Sequence, residues 1–244
     1  MTAPARCIGT SGWQYQHWKG PFYAQGTASG DMLARYAEQL SAVEVNAFFY
    51  GLPDAESVAS WRDTVPEGFV FAVKASRYLT HMKKLKDPEE PVSKLLDRAS
   101  VLGDALGPIL LQLPPRWRFN GERLDNCLAA FPKSVRLAVE MRDTSWICDE
   151  GLAILQKHNA AFCVYELAGY RTPWHATADF AYVRMHGPAE DKYRGSYSSD
   201  QLRTIAGHLE GWLGDGLDVY CFFDNDEAGY AAQNAVELDR MLAG

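Results

Sequence analysis

Short β-rich segments recur roughly every 30 residues along this chain, and most of the stretches between them have helical spacing. No other feature of the sequence limits the possible folds as much. The segments are Arg6 to Ser11, Ala42 to Asn46, Phe69 to Ala75, Pro108 to Leu113, Arg136 to Arg142, Ala161 to Glu166, Phe180 to His186 and Asp218 to Asp224. Helical stretches run over Met32 to Leu40, Asp54 to Asp63, Pro91 to Leu106, Gly121 to Phe131, Asp149 to His158, Ser199 to Leu213 and Glu227 to Leu242, with Asp54 and Asp149 placed to cap theirs. Eight such alternations within 244 residues match a single-domain TIM (β/α)8 barrel over 1–244. One connection breaks the rhythm: Leu167 to Asp179 holds Gly169, Pro173 and Trp174 without an apolar stripe, so the sixth helix is expected to be short or missing. A doubly wound open sheet would need an edge for the last strand, and Tyr220, Cys221, Phe222 and Phe223 are too apolar to provide one.

At 47% hydrophobic and 23% charged, the composition supports one large core. The net charge of -7 removes any global field toward nucleic acid or an anionic membrane, though a local basic patch is compatible with it. There is no uninterrupted apolar run of about 18 residues, and Met1 to Arg6 lacks the core of a signal peptide. The expectation is a cytoplasmic protein with no membrane partner. The 5 cysteines (Cys7, Cys127, Cys148, Cys163, Cys221) form no Cys-x-x-Cys pair and are read as reduced, buried, structural thiols.

The outward face of each barrel strand packs on helices and should be apolar, which sets the phase of each strand. Val43 and Val45 point out, so Glu44 and Asn46 point in; Phe71 and Val73 place Lys74 inside; Ile109, Leu111 and Leu113 place Leu110 and Gln112 inside. The same rule turns Glu140 and Arg142 inward, with Tyr182, Arg184 and His186, then Tyr220, Phe222 and Asp224, and adds Ser11, Cys163 and Tyr165. The polar members gather at the C-terminal ends of their strands, where barrels of this kind carry their chemistry. Buried charges must be paired, so these residues are either an internal ion-pair layer, the reading favoured for Glu44, or a ligand site, the reading favoured for Glu140, Arg142 and Arg184.

A set of motifs accompanies this pattern: Gly9-Thr10-Ser11-Gly12-Trp13 with Tyr15 and Trp18, Val45-Asn46-Ala47-Phe48-Phe49-Tyr50, and Lys74 through Thr80-His81. Gln112-Leu113-Pro114-Pro115, Glu140-x-Arg142-Asp143 with Trp146, and Arg184-x-His186-Gly187 with Tyr193 complete it. Together they resemble the family called domain of unknown function 72, the YecE-like proteins, from about Cys7 to the C-terminal helix. The resemblance implies a TIM barrel and brings no reaction or catalytic residues. Phe48 stands where a Thr is usual, and Asp224-Asn225 where Asn-Asn is usual, which adds a carboxylate at the mouth.

Glu140, His186 and Asp224, with Glu44, are of the types that bind a divalent metal, but the interleaved Lys74, Arg142 and Arg184 would repel one. No cofactor is therefore expected, with a divalent metal as the lesser alternative of a metal-dependent hydrolase or isomerase. The favoured reading is a metal-independent acid/base enzyme, a hydrolase, lyase or isomerase, acting on a small anionic, phosphorylated or sugar-like ligand. Glu140, His186 and Asp224 are the catalytic candidates. Lys74, Arg142, Arg184 and His81 would clamp the anion; Asn46, Gln112, Ser11, Tyr165 and Asn225 would orient it; Trp13, Tyr50, Trp146 and Tyr193 would stack on it. Phe22, Phe48 and Trp18 are expected to be lid core. The basic run from Lys74 to Lys86 supports a competing reading, a nucleic-acid-binding protein using that loop and the mouth aromatics, and its plainer reading is a solvated face. The sequence does not set the oligomeric state.

Overall fold

The computed structural model describes residues 3–244. Eight parallel strands close on themselves: β1 (Arg6–Ser11), β2 (Ala42–Val45), β3 (Val70–Lys74), β4 (Leu106–Gln112), β5 (Leu137–Glu140), β6 (Ala161–Leu167), β8 (Phe180–Met185) and β9 (Asp218–Phe223). The β5–β6 pairing and the β1–β9 pairing complete the ring, so the apolar β9 has a neighbour on both sides and no barrel strand forms an edge. A two-residue strand, β7 (Tyr170–Arg171), folds back antiparallel on β6.

Around the barrel lie α1 (Met32–Ala37), α2 (Ala47–Tyr50), α3 (Ala55–Thr64), α4 (Glu89–Ala99), α5 (Gly121–Ala129), α6 (Asp149–Lys157), α7 (Ser199–Gly214) and α8 (Tyr230–Ala243). Several begin on the residues whose side chains can satisfy free N–H groups: Asp54 accepts from Ser57 N at 2.7 Å, Asn120 from Arg123 N at 2.9 Å, and Ser198 forms a capping box with Gln201. No helix separates β6 from β8. The β7 turn fills that connection, and Trp174 stacks on His208 of α7 with ring centroids 4.2 Å apart.

Two differences from the sequence reading have local causes. The stretch read as one helix from Pro91 to Leu106 ends at Ala99 and continues as a 3-10 segment, Ser100–Ala105, in which Gly103 takes φ +57 and breaks the axis. The loop after β3 is not irregular throughout: Tyr78–Met82 form a π-helical turn.

Apolar side chains form two separate layers. The outer layer contains Val43, Val45, Phe71, Val73, Leu111, Val139, Val183 and Phe223, in one cluster with apolar side chains of the surrounding helices such as Val58, Leu95, Leu124 and Leu202. The inner layer fills the barrel with small Ala42, Ala72, Ala138 and Ala161 beside large Phe180, Tyr182, Tyr220 and Phe222. Large residues from β8 and β9 thus occupy the room left by alanines on the opposite strands, as close packing requires. Below them Arg136 closes the N-terminal end, donating to Asp218 at 2.6 Å and to the Tyr220 hydroxyl at 2.8 Å. β1 approaches β2 closely at Gly9, where a Cβ would lie 1.9 Å from the Ala42 carbonyl oxygen.

Candidate functional site

Parallel register brings the polar ends of the strands to one level: Ser11 pairs with Glu44, Gln112 with Glu140, and Tyr165 with Arg184. Arg184 lies at the centre and is 1% exposed. Its Nε and Nη2 donate to the two oxygens of Glu44 at 2.9 and 2.6 Å, and its Nη1 donates to Glu140 Oε2 at 2.6 Å. Nη2 also reaches Ser11 Oγ at 3.2 Å and Asp224 Oδ2 at 3.3 Å. Glu44 further accepts from Ser11 Oγ and Tyr182 OH, each at 2.7 Å, while Glu140 accepts from Gln112 at 3.0 Å and from Arg142 Nε. Both glutamates are fully buried. Arg184, expected to clamp a ligand, instead clamps Glu44 and Glu140, because fork-shaped donors matched to two carboxylates leave none aimed at the mouth.

His186 sits just above this layer. Its Nδ1 is 2.9 Å from Asp224 Oδ2, and its Nε2 faces Arg142 Nη2 at 3.0 Å and Arg184 Nη1 at 3.3 Å. Guanidinium nitrogens can only donate, so the network assigns the ring proton to Nδ1 and makes Nε2 the acceptor. Burial alone would raise the Glu140 carboxyl, but Arg142 and Arg184 outweigh it and hold Glu140 well below the usual carboxylate range. Asp224 is lowered the same way, against burial, by His186, Arg184 and Lys74. A carboxylate held that firmly is a weak base. Glu140 and the fully buried His186 are therefore placed to fix the guanidinium groups more directly than to meet a ligand.

The groups that face outward are different. Lys74 ends β3 half-buried, with its Nζ 4.3 Å above the centre of the Phe49 ring and, among the described residues, no hydrogen bond or ion pair. Burial and then Arg184 lower its pKa, against the pull of Glu44, Glu140 and Asp224. His81, delivered by the π turn, packs edge-on against the same Phe49 ring at 5.2 Å, and its pKa is lowered by burial, Lys74, Arg77 and Arg142. Arg142 rests on the Tyr165 ring at 4.9 Å and keeps its Nη1 unpartnered among the described residues. Tyr193 is 43% exposed, its ring 5.5 Å from His186, and the Asp224 side chain is 20% exposed. Phe49 also lines a cavity of about 200 Å³ together with Tyr50, Leu52, Arg77, Glu90 and Lys94, and Tyr50 projects into solvent.

Other expected site residues lie elsewhere or play other parts. Trp146 does not stack on anything at the mouth: it is fully buried against Trp117 and Phe119, and its Nε1 donates to the Trp117 carbonyl. Asn225 is likewise buried, donating to Gly195 O at 2.8 Å and to Asn234 Oδ1 at 2.9 Å, so it ties the loop before α7 to α8. Tyr165 donates to Met141 O at 3.1 Å and supports Arg142 from below. Trp13 is buried against Trp61 and Phe71, while Trp18 and Phe48 are lid core as expected, with Phe22 half-buried beside Trp18. Trp13 Nε1 and Asn46 Oδ1 are buried without partners on the wall of a second cavity of about 210 Å³. In the basic loop Arg77, Lys84 and Lys86 are exposed, and Lys83 lies 3.6 Å from Asp87. Sequence reasoning did not assign Phe49, which floors Lys74 and His81, or Tyr182, whose hydroxyl holds Glu44. The inward phase of β8 pointed to Tyr182, while nothing in the spacing separated Phe49 from its aromatic neighbours.

Among the described residues no group of three or more His, Cys, Asp or Glu is arranged to hold a metal ion. Glu44, Glu140 and Asp224 face guanidinium groups instead, all three that of Arg184 and Glu140 also that of Arg142. Among the described residues no helix is long and apolar enough to cross a membrane.

The family model described as "Protein of unknown function DUF72" matches residues 7–244. The chain is 24% identical over 269 residues to UPF0759 protein YunF of Bacillus subtilis, covering 96% of this chain and 94% of that one. It is 32% identical over 107 residues to UPF0759 protein YecE of Escherichia coli K12, covering 44% of this chain and 37% of that one. A crystal structure of a DUF72 family protein from Thermotoga maritima superposes with a TM-score of 0.89 at 28% identity, covering 98% of this chain and 100% of that one.

Proposed function

The chain belongs to the DUF72 family, and on that premise we propose that the C-terminal mouth of the barrel is the active site of an enzyme performing acid/base chemistry on a small anionic, oxygen-rich ligand. One observation carries the reading: the half-buried Lys74 ammonium has no partner, while Arg142 and Arg184 beside it are both paired with carboxylates. Partly burying an unpaired ammonium is costly, and a ligand anion would offset that cost. Arg142 Nη1 is a second donor without a partner among the described residues.

The charges support a role for protons. Glu44, Glu140 and Asp224 balance Arg184, Arg142 and Lys74 one for one, so an incoming anion leaves the cluster negative unless a proton enters with it. His81 is the group placed to take that proton, since burial and Lys74 hold it below its ordinary pKa and an anion would reverse the second effect. In this division of labour Lys74 and Arg142 hold the ligand, His81 exchanges protons with it, and Glu140, Asp224, Arg184 and His186 hold those groups in place.

Titrating inorganic phosphate at low ionic strength, by calorimetry or by shifts of the histidine resonances, tests the reading. Wild-type protein should bind it, and Lys74→Met and Arg142→Met should each weaken binding about tenfold or more, the scale of one lost charge-assisted contact. Equal phosphate affinity in all three proteins would reject the site.

A further inference from the structure

We propose that the Lys74 amine is a covalent nucleophile for an aldehyde or ketone that also carries an anionic group, forming an imine at the barrel mouth. The inference rests on the mouth being an anion-binding acid/base site, and it narrows that site's substrates to carbonyl compounds.

Four observations converge on it. First, Lys74 Nζ has neither a hydrogen bond nor an ion pair among the described residues, so no protein partner engages its lone pair once a proton is lost. Lys94 and Lys157, by contrast, are held by Glu90 and Asp125. Second, the Phe49 ring lies 4.3 Å from Nζ and covers one side of it without offering a hydrogen-bond acceptor of its own. Third, burial and the Arg184 guanidinium lower the proton affinity of Lys74, which enlarges the neutral fraction that attacks carbonyls. A group needed only to hold an anion gains nothing from that, and an arginine would serve as well because it never deprotonates. Fourth, His81 shares the Phe49 wall with Lys74, which puts an imidazole on the same side as the amine.

The step balances without any further reagent. Neutral Nζ attacks the carbonyl carbon, the carbonyl oxygen takes a proton, and a carbinolamine forms. The nitrogen gives up its second proton, the oxygen leaves as water after a further protonation, and a C=N bond remains. His81, alternating between imidazolium and imidazole, can deliver and recover these protons. No electrons are exchanged, and hydrolysis reverses the sequence. Protonated, the imine is an electron sink that eases removal of a proton from the neighbouring carbon, which suits isomerase or lyase chemistry. Arg142 would hold the anionic group.

Formaldehyde, the smallest carbonyl, tests the amine without depending on substrate fit. Wild-type protein treated at neutral pH with limiting formaldehyde and cyanoborohydride, then mapped by peptide mass, should show Lys74 methylated several-fold faster than the surface lysines. Inorganic phosphate should slow that labelling selectively. Borohydride in the presence of pyruvate should add the reduced pyruvyl mass at the Lys74 peptide and not in Lys74→Arg. Methylation of Lys74 at or below the surface rate overturns the proposal. Phosphate binding measured on the same sample separates the two ideas: binding with slow labelling leaves the anion site standing without an imine, and neither result leaves either.

Discussion

Replacing Arg184 with Met tests whether the buried layer is a structural ion-pair network. The guanidinium of Arg184 bridges Glu44 and Glu140, both fully buried, through bonds of 2.6 to 2.9 Å. Met fills similar space but leaves two carboxylates facing each other without the cation between them. Glu44 keeps Ser11 and Tyr182 as donors, and Glu140 keeps Arg142 and Gln112, so the charges are cushioned rather than bare. Removing one side of a buried ion pair costs about 3–5 kcal/mol, a large share of a typical total of about 5–15 kcal/mol. Adding Glu44→Gln to the same chain should recover part of it, with a coupling of about 0.5–3 kcal/mol. The pH dependence has a definite sign. Glu140 has a folded pKa below its unfolded one, so its contribution is complete above the ordinary carboxylate range and is lost as pH falls through the folded value. Without Arg184 that depression is smaller, and less remains to be lost on acidification. Urea denaturation should therefore show a gap between wild type and Arg184→Met that is full at pH 7, holds down to the ordinary carboxylate range and narrows only as pH falls below it. A cost below about 1 kcal/mol at pH 7, or a gap independent of pH, would refute the reasoning.

Sulfate binding should be accompanied by proton uptake, because an anion beside Lys74 raises the lowered His81; calorimetry in two buffers of different ionisation enthalpy reads it, and His81→Ala should abolish it. Trp146→Ala should cost about 3–5 kcal/mol in urea unfolding while leaving phosphate affinity unchanged, since the side chain is fully buried away from the mouth. Gly9→Ala should be at least as damaging, about 4 kcal/mol or more, because its Cβ would lie 1.9 Å from a backbone oxygen of β2; expression in soluble form and thermal unfolding check it. Of the five cysteines, Cys148 should react with a thiol reagent first and the other four only on unfolding, since Cys7, Cys127, Cys163 and Cys221 are buried and burial pushes the Cys7 and Cys127 thiols up to about 12.

Much of the barrel was legible because its causes are local. Alternation at period two set which residues of β2, β3, β4, β8 and β9 face inward, and the inner and outer apolar layers follow that division. The missing helix between β6 and β8 showed in a stretch with no apolar stripe, and Asp54 showed as a cap. Where phase was insufficient, the reading stopped. Leu111 and Trp146 are equally apolar in a sequence, and only the folded chain tells a tryptophan buried against Trp117 and Phe119 from one at the mouth.

The sequence by itself determined the eight-fold alternation, the barrel, and the fact that Ser11, Glu44, Lys74, Gln112, Glu140, Arg184, His186 and Asp224 arrive at one end of it. Each of these follows from the order of residues along a strand. What only the tertiary structure decided was which of those groups are used up on one another. Strand register placed Arg184 between Glu44 and Glu140 and left Lys74 over Phe49 with nothing to hold. Whether a buried charge is satisfied depends on distances of a few ångströms between strands far apart in the chain, and such distances are properties of the closed sheet rather than of any one segment of it.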